Sequence, residues 1–202
     1  TMTRTAKSAR LNQHLVEPFL EIHPDDAANL GIAPATLVSV ISPTGTCILR
    51  ALITDRVQPG QVFAPMHWTG ETAPTGRIDA LVPGIVDPLS GQPESKAAVV
   101  ALTPYAAAWF GFAVSTAPLA LTSPYWARSA VAGGWRAELA GRDTPMDWEA
   151  EARHLFGLAH APCQSINDPS TGTARLAFMD GDRLLAALFV SSTPVALARD
   201  HL

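Results

Sequence analysis

The chain has 202 residues, 48% of them apolar and only 16% charged, with a formal net charge of -4. That length is enough for one large domain or a domain with a smaller appendage, and the apolar share gives ample core. The acidic balance argues against a general nucleic-acid binder, and no apolar run reaches the ~18 residues of a membrane span. The chain opens on Thr1 rather than Met, without the apolar stretch of a secretory leader, as a piece of a longer polypeptide would.

The opening ten residues, TMTRTAKSAR, carry hydroxyls at Thr1, Thr3, Thr5 and Ser8, cations at Arg4, Lys7 and Arg10, and no acid. Such donors on an extended segment suit phosphate oxygens. The same composition also describes a solvated tail.

From residue 17 to 68 the chain reads as short strands joined by tight turns. Residues 17–23 (EPFLEIH) alternate in part. Pro24, Asp25 and Asp26 open a short helix that Leu30 and Gly31 close, Gly31 taking the left-handed position after the cap. Residues 36–42 (TLVSVIS) predict a strand, Pro43-Thr44-Gly45 a turn, and residues 46–54 (TCILRALIT) the returning strand. After a turn at 55–60, residues 61–65 start a further strand that ends at Met66-His67-Trp68. Residues 96–102 (KAAVVAL) predict a closing strand. A strand, a plug helix, a hairpin and more strands describe a small β-barrel.

Two irregular stretches, 69–76 and 82–91, are rich in Gly, Pro, Thr and Ser, and loops of that size in a compact barrel tend to be functional. His67 and Trp68 stand at a strand end beside the first. Their reading is open between an amphipathic interface pair and a cofactor contact. Lys96 follows Gln92, Glu94 and Ser95, a polar cluster able to hydrogen-bond a heterocycle edge or simply to be solvated.

The second half differs. Residues 103–114 predict an apolar helix or strand and residues 118–124 a linker. Residues 147–158 (DWEAEARHLFGL) form an amphipathic helix capped by Asp147, with Trp148, Ala152, Leu155 and Phe156 on one face. Residues 175–190 carry a hairpin signal around Asp180-Gly181-Asp182, and Thr193-Pro194 predicts a final helix.

There is no G-x-S-x-G elbow and no Gly-rich phosphate loop. Cys47 and Cys163 lie far apart with no Cys/His set around them, so the chain shows no iron–sulfur or zinc ligand pattern, and both thiols read as inert in a reducing compartment. Asp25-Asp26 is a helix-start pair. His14, His23, His154 and His160 lack ligand partners at convincing spacing. The chain has no self-contained catalytic machinery, as expected where cofactor chemistry is spread over several domains.

The strings TMTRTAKSARLNQHLVEPFLEIHPDDAANLGI, ITDRVQPGQVFAPMHWTGE, VDPLSGQPESKAAVV, GWRAEL and DWEAEARHLFGL resemble, in order, the C-terminal region of molybdopterin-dependent oxidoreductases, most closely assimilatory nitrate reductases. The resemblance implies a mainly β fold: a six-stranded double-psi β-barrel over residues 1–104, followed by a small α+β unit over 105–202. It implies a lid over a molybdenum cofactor made of two molybdopterin guanine dinucleotides. Thr1, Thr3, Arg4 and Thr5 match the tail of the family's dinucleotide-lining segment, continued by Lys7 and Ser8. Lys96 matches a pterin-contacting lysine after the D-P-x-S-x-x-P-E pattern. Asp79 stands where many relatives carry a cofactor-contacting asparagine, and Ala6 where glycine is more usual. His67, Trp68 and Gln92, read from their own positions and not from the resemblance, complete the expected cofactor-binding set.

By the same resemblance the iron–sulfur cluster and the molybdenum ligand belong to parts outside this chain. The complete enzyme would reduce nitrate to nitrite in the cytoplasm. Its partners would be the remaining domains of its own chain and a reductase or iron–sulfur electron donor, with no nucleic acid and no membrane. The isolated piece is expected to be inactive and to hold cofactor weakly. A formate dehydrogenase relative with the same lid, and a cofactor-free interaction module, are the alternatives.

Overall fold

The computed structural model describes residues 5–9 and 16–197. It is mainly β, with two sheets and few helices, and its residues fall into two compact units. One is Pro18–Ala106. The other joins the described residues up to Glu17 with those from Ala107 onward.

The first unit is built from β1 (Phe19–Ile22), α1 (Pro24–Asn29), β2 (Leu37–Ile41), β3 (Thr46–Ile53), β4 (Val62–Phe63) and β5 (Ala101–Pro104). They form one five-stranded sheet in the order β4-β1-β3-β2-β5. β1 runs parallel to β3, and the other pairings are antiparallel. Alternation along β3 sends Cys47, Leu49 and Ala51 inward, where they meet Leu20 and Ile22 of β1 and Val38 and Val40 of β2. α1 contributes Ala27, and the helix ends as the sequence predicts, with Gly31 left-handed at φ 66°.

Two expectations are corrected here. The strand after residue 60 shrinks to Val62–Phe63. The closing strand starts at Ala101, not at Lys96. Register explains the second: Ala101 pairs with Ile41, the last residue of β2 before the Pro43 turn, so residues upstream of Ala101 have no strand to lie against.

The second unit has β6 (Trp109–Ser115), β7 (Tyr125–Val131), β8 (Gly134–Gly141), α2 (Trp148–Phe156), β9 (Cys163–Asp168), β10 (Thr173–Asp180) and β11 (Arg183–Ser191). Its six strands are antiparallel, in the order β7-β8-β6-β11-β10-β9. α2 lays Trp148, Ala152, Leu155 and Phe156 against this sheet. Trp148 meets Trp109 edge-on at 5.1 Å, and Phe156 meets Phe178 at 5.6 Å. Asp147 Oδ1 caps the helix by accepting from Glu149 N (2.8 Å) and Ala150 N (3.1 Å), and Gly157 ends it at φ 65°.

The hairpin around Gly181-Asp182 forms as predicted, with a bulge at Phe178/Met179. The β7–β8 hairpin and β9 are not anticipated by the sequence reading. The final helix is corrected: residues 193–197 are not helical, and Thr193 N donates to Ser191 Oγ at 3.2 Å instead of starting a turn of helix. Stretch 118–124 carries no strand or helix, yet Ala120 N donates to Leu155 O (2.8 Å), which ties it to α2.

Candidate functional site

In the first unit the candidate residues lie on the long excursion between β4 and β5. His67 has φ 82°, a left-handed conformation that costs a residue with a Cβ about 1–2 kcal/mol. The kink separates the pair: His67 is exposed while Trp68 is buried. Trp68 is therefore a core anchor, and His67 is the half of the motif that can meet a ligand. A tight turn follows, with Ala73 N donating to Thr69 O at 2.8 Å and Thr72 buried beneath it.

Residues 74–81 form two short 3-10 turns, Pro74–Gly76 and Ile78–Leu81, held to the sheet at several points. Gly76 sits so close to the Pro18 ring that a Cβ there would collide with it. Cys47 Sγ donates to Arg77 O at 2.7 Å, and Thr44 Oγ1 to Ala80 O at 3.2 Å. Gly45 packs on the same Ala80 carbonyl, 2.5 Å from where its Cβ would be. Burial, helped by the Asp79 charge, pushes the Cys47 thiol up to about 11, so it stays a neutral donor.

On the outer side of this segment stands Asp79. Arg77 Nη2 donates to Asp79 Oδ2 at 2.7 Å and Nε to Oδ1 at 3.3 Å. The Arg77 hydrogen bonds hold the Asp79 carboxyl below the usual carboxylate range. Asp79 is thus an ionised acceptor whose two oxygens are already engaged.

Residues 84–99 are exposed throughout, with Leu89 97% and Val99 90% accessible. Their first part is nevertheless shaped. Asp87 Oδ1 accepts from Leu89 N (3.0 Å), Ser90 N (2.7 Å) and Ser90 Oγ (3.0 Å), and these bonds hold its carboxyl below the usual range. Asp87 N donates to Gln92 O at 2.9 Å, and Val86 bridges Pro93. A shallow depression of about 440 Å³ results, lined by Ile85, Val86, Asp87, Gln92, Pro93 and Glu94. Gln92 faces it, and Lys96 lies on the same loop, exposed.

Thr1, Thr3 and Arg4 lie outside the described residues. Thr5, Lys7 and Ser8 belong to the second unit, so the structure does not gather them in one unit with His67, Asp79, Gln92 and Lys96. Ala6 is buried with φ 63°, and its carbonyl accepts from Ala130 N of β7 at 2.9 Å. The left-handed backbone is the physical reason a glycine suits this position. Glu17 Oε2 accepts from Tyr125 Oη at 2.6 Å, a second tie to β7.

Along the excursion between β4 and β5, Arg77, Lys96, His67 and Gln92 offer a guanidinium, an ammonium, an imidazole and an amide. That chemistry fits a phosphate-bearing group with a hydrogen-bonding heterocycle. Among the described residues no three His, Cys, Asp or Glu side chains gather as a metal-ligand set.

Comparison with known proteins identifies the region that carries these residues. The molybdopterin dinucleotide binding domain family matches residues 1–99. This stretch belongs to that family. Beyond it, the chain is similar to a nitrate reductase of Klebsiella oxytoca, 40% identical over 152 residues, which is 75% of this chain and 18% of the relative. It is also similar to the assimilatory nitrate reductase catalytic subunit of Bacillus subtilis, 33% identical over 104 residues, covering 52% of this chain and 14% of that protein. A formate dehydrogenase alpha subunit of Methanocaldococcus jannaschii is 40% identical over 100 residues, covering 50% and 14%. The matched part thus spans less than a fifth of each of these relatives.

Within the dinucleotide-binding domain, sequence reasoning missed Arg77, Thr44 and Cys47. The Arg-x-Asp spacing in GRIDAL is a signal for the Arg77–Asp79 pair. Nothing local in the sequence places the turn at Thr44 and Gly45 under Ala80.

Proposed function

We propose that this chain is the cofactor-capping part of a molybdenum-dependent nitrate reductase that converts nitrate to nitrite for assimilation. One observation carries the choice of substrate. The likeness to the Klebsiella protein covers 152 residues and so must run beyond residue 99, where the dinucleotide-binding match stops. The formate dehydrogenase likeness covers 100 residues, about the length of the shared domain.

In this reading the domain holds a bis(molybdopterin guanine dinucleotide) cofactor by its rim of donors. His67, Gln92 and Lys96 offer hydrogen bonds to pterin or guanine edges. The hydroxyls of Thr1, Thr3, Thr5 and Ser8, with Arg4 and Lys7, offer donors to phosphate. Asp79 acts through its arginine neighbour. The cofactor, when bound, supplies the two-electron oxygen-atom chemistry of nitrate reduction, and the residues of this chain orient it and exclude water.

The barrel reading is kept as part of this proposal. The parallel β1–β3 pair inside an otherwise antiparallel sheet, with α1 between the strands, supports a double-psi arrangement within the part of residues 1–104 that follows Glu17. The region from 105 onward is proposed to face the rest of the enzyme chain or its reductase or iron–sulfur electron donor, in the cytoplasm. An iron–sulfur cluster would be held elsewhere in the full-length protein.

The test is the full-length protein assayed with a reduced viologen donor. Nitrite formation from nitrate, with bound molybdenum and guanine nucleotide, is the expected result. Viologen-linked formate oxidation without nitrate reduction would favour the formate dehydrogenase reading. A folded protein with neither activity nor cofactor would favour an interaction module.

A further inference from the structure

We infer that Arg77 is a phosphate contact of the bound dinucleotide, and that Asp79 is the residue that aims it. The inference rests on the cofactor-binding reading above and names a group in that site.

The geometry of the pair is the first argument. Asp79 engages Arg77 side-on, through Nε and Nη2. A guanidinium gripped along that edge keeps its end-on edge, one N–H of Nη1 and the second N–H of Nη2, pointing away from the carboxylate. Among the described residues no second acceptor meets that edge. Two parallel N–H donors at fixed spacing match two oxygens of a phosphate.

The second argument is rigidity. The backbone that carries the pair is fixed without it, by Cys47 Sγ on Arg77 O, by Thr44 Oγ1 on Ala80 O, and by the close seating of Gly45 and Gly76. An exposed ion pair adds little to stability, so holding this segment does not explain it. Its effect is to restrict where an otherwise mobile guanidinium points. Placement ahead of binding lowers the ordering cost of binding an anion.

The third argument is contrast with the other arginines of the unit. Arg56 neutralises the buried carboxylate of Glu21, with Nη2 2.7 Å from Oε1. Arg50 reaches back to Ala35 O at 2.9 Å. Those two serve the fold. Arg77 has an exposed partner and an outward edge.

The test uses the full-length protein with Arg77→Ala, Arg77→Lys and Asp79→Asn, and Arg183→Ala as a control at an exposed arginine of the second unit. Molybdenum and guanine nucleotide retained per protomer after gel filtration are measured at rising salt, beside the unfolding midpoint. Arg77→Ala should retain ~10-fold less cofactor or worse at an unchanged midpoint, because a charge-assisted fork is lost. Arg77→Lys keeps the charge without the fork and should fall between, with a steeper salt dependence. Asp79→Asn should lose several-fold, and Arg183→Ala nothing. A loaded wild type with equally loaded Arg77 variants would overturn the inference alone. So would a cofactor loss that only tracks a fallen midpoint. A wild-type protein devoid of molybdenum and guanine nucleotide would overturn the cofactor reading and this inference with it.

Discussion

Gly45→Ala is the substitution that bears most directly on how the candidate site is held. Its φ lies outside the left-handed region, so alanine meets no backbone penalty there. The cost is steric. The new Cβ would stand 2.5 Å from Ala80 O and 3.3 Å from Ala80 C, both backbone atoms, so no side chain can swing away. The turn and the Ile78–Leu81 segment must separate, which also strains the Thr44 Oγ1 bond to Ala80 O. Overpacking costs roughly 1–3 kcal/mol and a lost hydrogen bond about 1 more, so the expected loss is about 2–4 kcal/mol. Gly84→Ala is the matched control: nothing lies within 4 Å of its Cβ position and its φ is also ordinary. That change should range from neutral to about 1 kcal/mol stabilising, through the unfolded chain. Urea unfolding of the two variants beside wild type measures the difference. Equal midpoints for Gly45→Ala and Gly84→Ala would refute the close seating of this segment.

Three further outcomes are expected. Arg153 Nε and Nη2 bond Glu149, its Nη1 serves the carbonyls of Leu158, Ala159 and Ala161, and its guanidinium lies 5.4 Å from the Phe178 ring. Arg153→Ala should cost about 2–4 kcal/mol in denaturant unfolding and Arg153→Lys about half as much, since lysine cannot serve both sides. Asp87 has a folded pKa held down by the Ser90 and Leu89 hydrogen bonds, so its contribution is present above the ordinary carboxylate value and is lost as pH falls through the lower folded value. Amide exchange at Leu89 and Ser90 should therefore accelerate under acid relative to the intrinsic rate, and Asp87→Ala should show the fast exchange already at neutral pH. Cys47, buried and with its pKa raised to about 11, should resist alkylation at pH 8 in the folded protein and react once unfolded. The sign for stability is the reverse of the Asp87 case: the neutral thiol contributes below the ordinary thiol value, and that contribution fades as pH rises toward about 11.

Elements whose signals are local were legible in the sequence. α2 follows from Asp147 at one end, Gly157 at the other, and an apolar stripe between. β2 and β3 follow from β-branched alternation around a Pro-Thr-Gly turn. The β7–β8 hairpin was not legible because its strands, YWARSAV and GWRAELAG, are full of Ala, Arg and Gly, weak strand formers that only the neighbouring strands hold extended. The strand start at residue 96 was overcalled because KAAVV has the composition of a strand, while the end of β2 decides where pairing stops. Among the candidate residues, the family resemblance singled out Asp79 and Lys96, and a polar cluster singled out Gln92. Arg77 emerges only from the side-on geometry, and Trp68 separates from His67 only through a left-handed backbone that composition does not announce.

The dinucleotide-binding match begins at the first residue, yet Ala6 and Glu17 find their partners on β7, in strands made far later. During synthesis the ribosome releases the hydroxyl-rich opening long before Tyr125 and Ala130 exist to receive it. The unit spanning Pro18–Ala106 can collapse while the leading residues still wait, and the discontinuous unit closes last. Any truncation ending at residue 99 or 104 would discard the strand on which the opening segment docks.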